Sequence, residues 1–430
     1  MSFFLHGVHV PHRKNTQNKP AVLLDGVKSV TIPTSMHIGA PAKIIVNVGD
    51  EVKVGTMIAE DVGYVSSPIH SSVSGKVTKI GEVLVSSGKK IPAIVIESDG
   101  EMTVSETVAP PVVTNREELV KAIKESGVVG LGGAGFPTHV KFDADPSRIE
   151  ELIINGAECE PYITSDTYTM INRVDDMKYA ICEIKKHLGI KKVIIGIESN
   201  KKNAIASMKE MAKGIDGVEV AVLPQVYPQG GEKVLVYHTT KKVIETGKLP
   251  IDVGCIVCNC TTIAAIGKYL MTGMPLVEKC VTVDGGAVNT PQNVIAPIGT
   301  SLEDLFNFCG GFKEAPEKVI YGGPMMGVTV PDLSYPVIKN TNAVLALTAK
   351  EAWLPKTTAC IRCGKCTNVC PFGLSPADIL LAYKKNDVEL LKKLSVETCM
   401  LCGCCSFSCP ANRPLVQTNN LAKQLLKETK

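Results

Sequence analysis

Apolar residues follow two different patterns in the first two thirds of the chain. In residues 30–97 short runs of valine and isoleucine alternate with glycine, proline and serine, which predicts a small all-β unit. Between residues 116 and 272 apolar runs of strand length alternate with longer amphipathic stretches, which predicts an α/β domain with a mostly parallel sheet. The predicted strands of this domain lie at 152–155, 193–197, 218–223 and 255–258. Its predicted helices lie near 174–188, 201–213, 231–240 and 261–270.

Breaks in these patterns divide the chain into four predicted domains. A valine- and proline-rich linker at 107–113 ends the β unit, and Asn115 then opens a helix, with Glu118 placed to complete a capping box. Residues 276–325 return to short strands and turns, and the segment 375–394, rich in leucine, alanine and lysine, predicts a helix. The predicted domains are 1–106, 114–273, 274–345 and 346–430.

Composition and charge exclude several classes of protein. Hydrophobic residues make up 45% of the 430 residues and charged residues 21%, which is typical of a folded globular chain. The net charge is only +3 and no long basic run occurs, so no nucleic-acid partner is expected. No apolar stretch approaches the roughly 18 residues of a transmembrane helix, and residues 1–11 do not resemble a secretory signal. We therefore expect no direct membrane span.

The chain contains sixteen cysteines, nine of which lie between residues 360 and 409. Two runs in this segment, 360–371 and 399–410, fit the pattern C-x2-C-x2-C-x3-C-P of bacterial two-cluster ferredoxins. This spacing predicts two [4Fe–4S] clusters, because structural zinc sites do not require two copies of it with its prolines. Clustered ligands of this kind favour a reducing compartment over a disulfide scaffold.

In two-cluster ferredoxins the fourth cysteine of each run ligates the cluster of the other run. One cluster is therefore assigned to Cys360, Cys363, Cys366 and Cys409. The other is assigned to Cys399, Cys402, Cys405 and Cys370. Cys404 remains as a free residue that ligates neither cluster.

Four segments of the α/β domain contain residue types suited to a phosphate or a ribose. Residues 130–138 are rich in glycine, whose N–H groups approach anions closely, and Lys141 adds charge nearby. This segment follows a helix and lacks the context of a Rossmann fingerprint, so a simple tight turn remains an alternative. Glu158 and Glu160 follow a strand end, where their carboxylates could accept hydrogen bonds from ribose hydroxyls. The alternative is that this segment is simply a solvated loop. Residues 230–233 lie at the N-terminus of another predicted helix, and residues 258–262 lie at the end of another predicted strand.

In chain order, the segments GLGGAGFPTHVKF, NGAECEP and QGGEK and the turn at 259–262 resemble the flavin- and NADH-binding subunit of respiratory complex I. The resemblance implies that ten residues approach FMN, namely Gly132, Gly133, Gly135, Lys141, Asn155, Glu158, Gly231, Glu232, Asn259 and Thr262. It also implies that Phe136 and Glu160 lie on the NADH side. The chain departs from that family at Leu131, Ala157 and Lys233, which replace an arginine, an aspartate and a glutamate.

The order of segments along nearly the whole chain resembles the RnfC family of Rnf electron-transport complexes, including the segment 281–289 and the turn 322–327. The resemblance implies a multidomain fold that combines α/β and β units. Its parts would be a barrel-sandwich-hybrid-like β module, an α/β flavoprotein core, a β-grasp-like (SLBB) segment and an α-helical tandem [4Fe–4S] ferredoxin domain. The implied function is that of a peripheral subunit of an ion-translocating ferredoxin:NAD+ oxidoreductase, which moves electrons between NAD(H), FMN and two clusters.

The same resemblance implies partners and a location. The partners would be RnfB, which is the iron–sulfur partner within the complex, and the integral membrane subunits, at the cytoplasmic face of the cell membrane. Two alternatives remain open. A cobalamin reductase of the microcompartment type shares this architecture, and the replacements at Leu131 and Ala157 would also suit an electron carrier without nucleotide binding.

Four other features are assigned no chemistry. The β module resembles lipoyl and biotinyl carriers, but residues 69–71 read Ile-His-Ser where carriers have a modifiable lysine, so no such modification is expected. The three cysteines of residues 255–260 are expected to be buried free thiols. Cys159 is not expected to be a catalytic thiol, and Trp353 is expected to pack against the protein.

Overall fold

The computed structural model describes residues 6–85 and 88–429, so residues 1–5 and 86–87 of the predicted first domain and residue 430 of the last lie outside it. The first strand, β1 (Ala21–Leu23), pairs with a strand of a later domain. The next seven strands form two small sheets that share one core, in the orders β2-β8-β7-β4 and β3-β5-β6. They are β2 (Ser29–Pro33), β3 (Lys43–Ile44), β4 (Glu51–Val52), β5 (Met57–Glu60), β6 (Ile69–His70), β7 (Gly75–Leu84) and β8 (Lys90–Ser98).

The second domain is built on a four-stranded parallel sheet in the order β11-β10-β9-β12. Its strands are β9 (Glu151–Gly156), β10 (Lys192–Glu198), β11 (Val218–Leu223) and β12 (Cys255–Asn259). Its helices are α1 (Arg116–Glu125), α2 (Thr138–Phe142), α3 (Ser165–Asn172), α4 (Val174–Leu188), α5 (Lys202–Lys213), α6 (Glu232–Thr240) and α7 (Cys260–Thr272). All four predicted strands and all four predicted helices are confirmed to within two residues, because their apolar periodicity is local and strong.

The capping box predicted at the start of α1 is displaced by one residue. Asn115 accepts a hydrogen bond from the backbone N–H of Glu118 at 2.9 Å, as predicted. The carboxylate of Glu118 instead accepts from the backbone N–H and the hydroxyl of Thr114, both at 2.7 Å. The threonine offers two donors to one carboxylate oxygen, and so it outcompetes the single N–H of Asn115.

The third domain is a six-stranded sheet in the order β1-β14-β13-β17-β15-β16. It contains β13 (Glu278–Asp284), β14 (Gln292–Pro297), α8 (Leu302–Phe308), β15 (Lys318–Tyr321), β16 (Val328–Val330) and β17 (Ala343–Leu347). The predicted boundary at residue 345 falls inside β17, whose five residues are all buried. β1 pairs in parallel with β14, so residues 21–23 belong to this sheet and not to the β module.

The C-terminal region consists of helices and loops within the described residues. Its helices are α9 (Ala349–Ala352), α10 (Lys365–Asn368), α11 (Pro376–Lys384), α12 (Val388–Lys393), α13 (Cys404–Phe407) and α14 (Leu415–Glu428). The single helix predicted at 375–394 is wrong, because Asn386 adopts a left-handed conformation and Asp387 caps a new helix through the N–H of Leu390. Trp353, predicted to pack, is 71% exposed. In the part of the chain that the structure describes, no helix is long and apolar enough to cross a membrane.

Candidate functional site

A cleft opens at the carboxyl ends of β9 and β12. The register of these parallel strands places Asn155 opposite Asn259, so the segments that follow them lie side by side. The cleft has a cavity volume of about 270 Å³ and is open to solvent on one side. Seven predicted residues line it, namely Gly132, Asn155, Glu158, Glu160, Gly231, Glu232 and Asn259.

The glycine-rich loop closes against the start of α7. The backbone N–H of Leu131 donates to the hydroxyl of Thr262 at 3.0 Å, and this hydroxyl is buried behind the loop. A Cβ on Gly132 would lie 2.5 Å from the Nδ2 atom of Asn259, so only glycine fits this position without a shift. Thr262 therefore supports the loop from behind, and Asn259 packs against it from the side.

Of the other two loop glycines, Gly133 is open, whereas a Cβ on Gly135 would lie 3.2 Å from the carbonyl oxygen of Met36. A Cβ on Gly133 would meet no atom within 4 Å, and Gly135 has a φ of +68°, which favours glycine. Leu131 and Ala157, the two departures from the complex I family, are 1% and 0% exposed and pack in apolar cores. The chain therefore presents neither an arginine nor an aspartate to the cleft at these positions.

Glu158 lies beside the cleft, but its carboxylate is bonded to the chain itself. Oε1 accepts from the backbone N–H groups of Asp166 and Thr167 at 2.7 and 3.2 Å, and Oε2 accepts from the Thr167 hydroxyl at 2.5 Å. Burial raises the pKa of Glu158, whereas Lys14, whose Nζ lies 3.9 Å from Oε2, lowers it. The carboxylate therefore holds the start of α3 against residues 157–163, which link β9 to α3 and which we call the acidic turn.

Glu160 contacts the third domain across the cleft. Its carboxylate accepts from the backbone N–H groups of Met325 and Met326 at 3.0 and 2.8 Å. Burial raises the pKa of Glu160 to about 7, while these two hydrogen bonds favour the charged form. A Cβ on Gly323 would overlap the carboxylate, so the glycine turn 322–327 is shaped to receive it. The third domain thereby forms one wall of the cleft.

A second cavity of about 340 Å³ adjoins the cleft at Glu232, which lines both. Phe136 and Lys141 line this second space together with apolar residues of 249–257. The Nζ of Lys141 donates to the carbonyl oxygen of Val257 at 2.7 Å and lies 3.4 Å from the carboxylate of Glu232. Phe136 and Lys141 therefore line a different space from most of the predicted residues. Glu232, the partner of Lys141 in this ion pair, lines both spaces.

The cleft-lining residues that sequence reasoning missed include Asp166, Tyr227, Met326 and Met400. Asp166 accepts from the Nδ2 atom of Asn259 at 2.7 Å and from the hydroxyl of Thr261 at 2.8 Å. Its position in the first turn of a helix just after the acidic turn is a signal that could have found it. The other three come from segments distant in sequence, and although Met326 lies in the turn 322–327 and Met400 in the second cysteine run, no local pattern places them at the cleft.

The four thiols of the second predicted set lie near enough to influence one another's pKa. Burial raises the pKa of the Cys405 thiol to about 12, and the nearby thiols of Cys399, Cys402 and Cys370 raise it as well. Burial also raises the pKa of Cys370, with contributions from Cys402 and Cys399. Cys370 thus lies with the second run, although it is the last cysteine of the first.

Two of these sulfur atoms accept hydrogen bonds from amide groups. Asn419 donates through Nδ2 to the sulfur of Cys399 at 3.4 Å. The backbone N–H groups of Phe372 and Leu374 bond to Cys370 and lower its pKa. Hydrogen bonds to sulfur are a feature of iron–sulfur sites, where they tune the reduction potential. The donor set therefore fits a [4Fe–4S] cluster.

The first predicted set is more open. Cys360 and Cys363 are exposed, while Cys366 and Cys409 are half-buried and pack on the same small apolar cluster. Within residues 6–85 and 88–429, no three His, Cys, Asp or Glu side chains converge as they would around a single metal ion. The two sets therefore share their residue types and differ in burial.

The second cysteine run touches the cleft directly. Met400, between Cys399 and Cys402, lines the cleft, and a Cβ on Gly231 would overlap its side chain. The hydroxyl of Tyr227 donates to the carbonyl oxygen of Cys402 at 2.8 Å. The buried Cys404 thiol lies 3.7 Å from the carbonyl oxygen of Tyr227. One continuous set of contacts thus joins the cleft to this run.

The other cysteines near the cleft are buried thiols. Cys255 and Cys258 lie on β12, and Cys260 begins α7. Burial raises the pKa of Cys159 to about 12. A thiol needs deprotonation to act as a nucleophile, so this shift does not favour a catalytic role for Cys159.

Comparison with known families matches three parts of the chain. The Nuo51 FMN-binding domain matches residues 123–268, the RnfC barrel sandwich hybrid domain matches residues 2–101, and the SLBB domain matches residues 280–329. These matches confirm three of the four predicted fold units. Among solved structures, a chain of an NAD+-reducing [NiFe]-hydrogenase in the air-oxidized state is similar with a TM-score of 0.51. That match has 17% identity and covers 73% of this chain and 63% of the other, so it concerns the fold alone.

Three curated relatives, each the RnfC-type component of its complex, are similar over most of their length. The relative from the proton-translocating ferredoxin:NAD(+) oxidoreductase complex of Clostridium ljungdahlii is 41% identical, covering 89% of this chain and 85% of the relative. The Na(+)-translocating counterpart of Acetobacterium woodii is 39% identical, covering 89% and 88%. The relative from the ion-translocating oxidoreductase complex of Rhodobacter capsulatus is 38% identical, covering 93% and 78%. The chain therefore belongs to the RnfC family of ion-translocating ferredoxin:NAD+ oxidoreductase complexes.

Proposed function

We propose that this chain is the NADH-linked electron-transfer subunit of its complex, with FMN in the cleft and two [4Fe–4S] clusters on the C-terminal cysteines. The observation that carries the proposal is the contact between the cleft and the second cysteine run. Met400 lines the cleft from between two predicted ligands, and Tyr227 bonds the backbone of Cys402. A flavin in the cleft would therefore lie beside one cluster.

FMN is assigned to the cleft because its lining combines open backbone with polar side chains. The loop position Gly133 leaves space in which backbone N–H groups can approach a phosphate. Asn155 and Asn259 supply amide groups at the strand ends, where α/β folds bind their ligands. Thr262 has an indirect role in this assignment, since it holds the loop.

The nucleotide of NADH is assigned to the second cavity. Phe136 offers an aromatic face there, and Lys141 supplies a positive charge. Glu232 lines both spaces, so a dinucleotide could extend from one to the other past the Lys141–Glu232 pair. Glu160 contributes by holding the turn 322–327 over the cleft, which limits the access of water.

When bound, FMN supplies the conversion between two-electron hydride transfer from nicotinamide and one-electron transfer to clusters. The residues of the chain bind and orient the reactants, and hydride transfer itself requires no acid–base catalyst. The ferredoxin-type assignment of residues 346–430 rests on the spacing of both runs. The buried second set lies next to the cleft, so we assign it as the first acceptor and the exposed first set as the exit.

The chain would work at the cytoplasmic face of the membrane, in contact with RnfB and the integral membrane subunits. Support for this placement comes from the family, whose relatives are named as parts of such complexes. The chain would reach the membrane only through these partners.

Anaerobic purification with flavin, iron and sulfide analysis, followed by NADH titration, tests the proposal. We expect about eight irons, since two four-iron clusters are assigned, together with one FMN and absorbance that NADH bleaches. Protein that carries its clusters but cannot bind FMN after reconstitution would contradict the proposal and would favour the electron-carrier alternative. Reduction of hydroxocobalamin with NADH, at a rate above that of a flavin-free control, would favour the cobalamin reductase.

A further inference from the structure

The residues that precede the β module form a segment that crosses the other domains. Val8 exchanges backbone hydrogen bonds with Tyr227 at 2.8 and 2.9 Å. Asn15 donates to Asp284 of the third domain at 3.1 Å, and the hydroxyl of Thr16 lies 2.5 Å from that of Thr164. We call residues 8–19 the N-terminal strap. It belongs in sequence to the first domain and packs beside the cleft of the second.

Lys14 of the strap is bonded to the acidic turn of the cleft. Its Nζ donates to the carbonyl oxygens of Glu158, Glu160 and Ile163 at 2.9, 2.8 and 2.5 Å. A lysine ammonium has three N–H donors, so all three are used on one turn. The side chain is only 7% exposed, and burial is the main cause that lowers its pKa to about 8.

The turn that Lys14 holds has an unfavourable backbone. Glu158 has a φ of +47° and Tyr162 a φ of +70°, a left-handed conformation that residues other than glycine seldom adopt. Such a conformation persists only where surrounding contacts impose it. The three carbonyl groups converge on one ammonium, and this convergence requires the chain to fold back on itself.

We propose that Lys14 is a positioning residue for the flavin site, through which the N-terminal strap supports that site. The inference rests on the proposed function, since it supposes that FMN binds in the cleft. Lys14 acts through the turn, which carries Glu158 and Glu160 into the cleft lining. The first domain therefore contributes to cofactor binding although its sheets lie elsewhere in the fold.

The test compares variants of the full chain with its clusters reconstituted. Lys14→Met removes all three donors, Lys14→Gln retains two weaker ones, and Lys19→Met is the matched control. Lys19 lies in the same strap and donates to the carbonyl oxygen of Pro291 at 2.7 Å, away from the turn. The measurements are the FMN Kd, the KM and kcat for NADH, and the iron content.

Lys14→Met is expected to raise the FMN Kd about tenfold, because hydrogen bonds from a charged donor are lost. Its iron content and its kcat at saturating FMN should remain unchanged. Lys14→Gln should fall between Lys14→Met and the wild type, and Lys19→Met should match the wild type. A wild-type Kd in Lys14→Met with full iron content overturns the inference, and Lys14→Gln decides in the same way if Lys14→Met fails to fold.

A measurement on the wild-type chain supplies an independent test. Binding of FMN should slow amide hydrogen exchange in the strap, and it should leave β7 of the first domain unchanged. Unchanged exchange in the strap on FMN binding overturns the inference even if the variants fail to fold. If the wild-type chain binds no FMN at all, the proposed function fails and the inference fails with it. If the wild type binds FMN and the Lys14 variants bind it equally well, only the inference fails.

Discussion

The two cysteine runs share one spacing, but the fold surrounds them differently. Cys399, Cys402 and Cys405 of the second run are 9% exposed or less, and a residue between the first two of them lines the cleft. Cys360 and Cys363 of the first run are exposed. The spacing of a run therefore determines what its thiols can bind, whereas packing against the α/β domain determines which run lies next to the cleft.

The surroundings also differ in charge. No aspartate or glutamate occurs between residues 352 and 377, while Lys356, Arg362 and Lys365 do occur there and are exposed. The second run packs on its cleft side against Tyr227, Met325 and other uncharged groups, and the Nζ of Lys423 donates to the carbonyl oxygen of Cys399 at 2.6 Å. The first run thus combines solvent access with positive charge, which suits an exit point for electrons.

Loss of a ligand from each run should have the largest effect. Cys402→Ala is expected to abolish NADH-driven reduction of both clusters, because it removes the cluster next to the cleft. We call the cluster assigned to the second set, next to the cleft, the inner cluster, and the cluster assigned to the first set the outer cluster. Cys363→Ala should remove only the outer cluster and leave the inner one reducible by NADH. Electron paramagnetic resonance of NADH-reduced protein distinguishes the two variants. An outer-cluster signal that persists in NADH-reduced Cys402→Ala, together with loss of the inner-cluster signal in Cys363→Ala, would reverse our order of transfer.

Iron removal should proceed in two phases. Two of the thiols assigned to the outer cluster, Cys360 and Cys363, are exposed. A chelator under mild oxidation is therefore expected to remove about four of about eight irons first. The inner cluster should be lost more slowly, because its thiols are buried. Iron release and residual NADH reduction are followed together. Loss of all iron in one phase would show that the difference in burial does not protect the inner cluster.

Tyr227→Phe tests the link between cleft and inner cluster. It removes the hydrogen bond to the carbonyl oxygen of Cys402, and a neutral hydrogen bond of this kind contributes about 1 kcal/mol. We expect a lower midpoint potential for the inner cluster, since a nearby donor is lost, and a severalfold slower reduction by NADH. Redox titration is the measurement, and Tyr383→Phe on α11 is the control. An unchanged potential in Tyr227→Phe would remove this bond from the electron path.

Cys404→Ala should have the smallest effect. Cys404 is 1% exposed and contacts the backbone of Tyr227, but the crossed assignment gives it no iron. The variant is expected to keep about eight irons, as two complete four-iron clusters require, and to lose only a little stability through a small cavity. Iron analysis and thermal unfolding measure both effects. Loss of about half of the iron would make Cys404 a ligand.

Local patterns predicted much of the α/β domain and little of its connections to other domains. The strands from β9 to β12 follow from apolar runs that each segment carries by itself. The break at Asn386 within the predicted helix 375–394 depends on a left-handed residue that no periodicity reveals. β1 joins the sheet of the third domain because its partner strand, β14, lies there, two domains further along the chain.

The sequence by itself determined the chemistry of the site. The glycine-rich loop, the strand-end asparagines and the two cysteine runs are local motifs, and their residue types limit what they can bind. Only the tertiary structure decided how these parts meet. Lys14 reaches Glu158 across 144 residues, and Tyr227 reaches Cys402 across 175. Contacts over such separations depend on how whole domains pack, and no pattern within one segment encodes them.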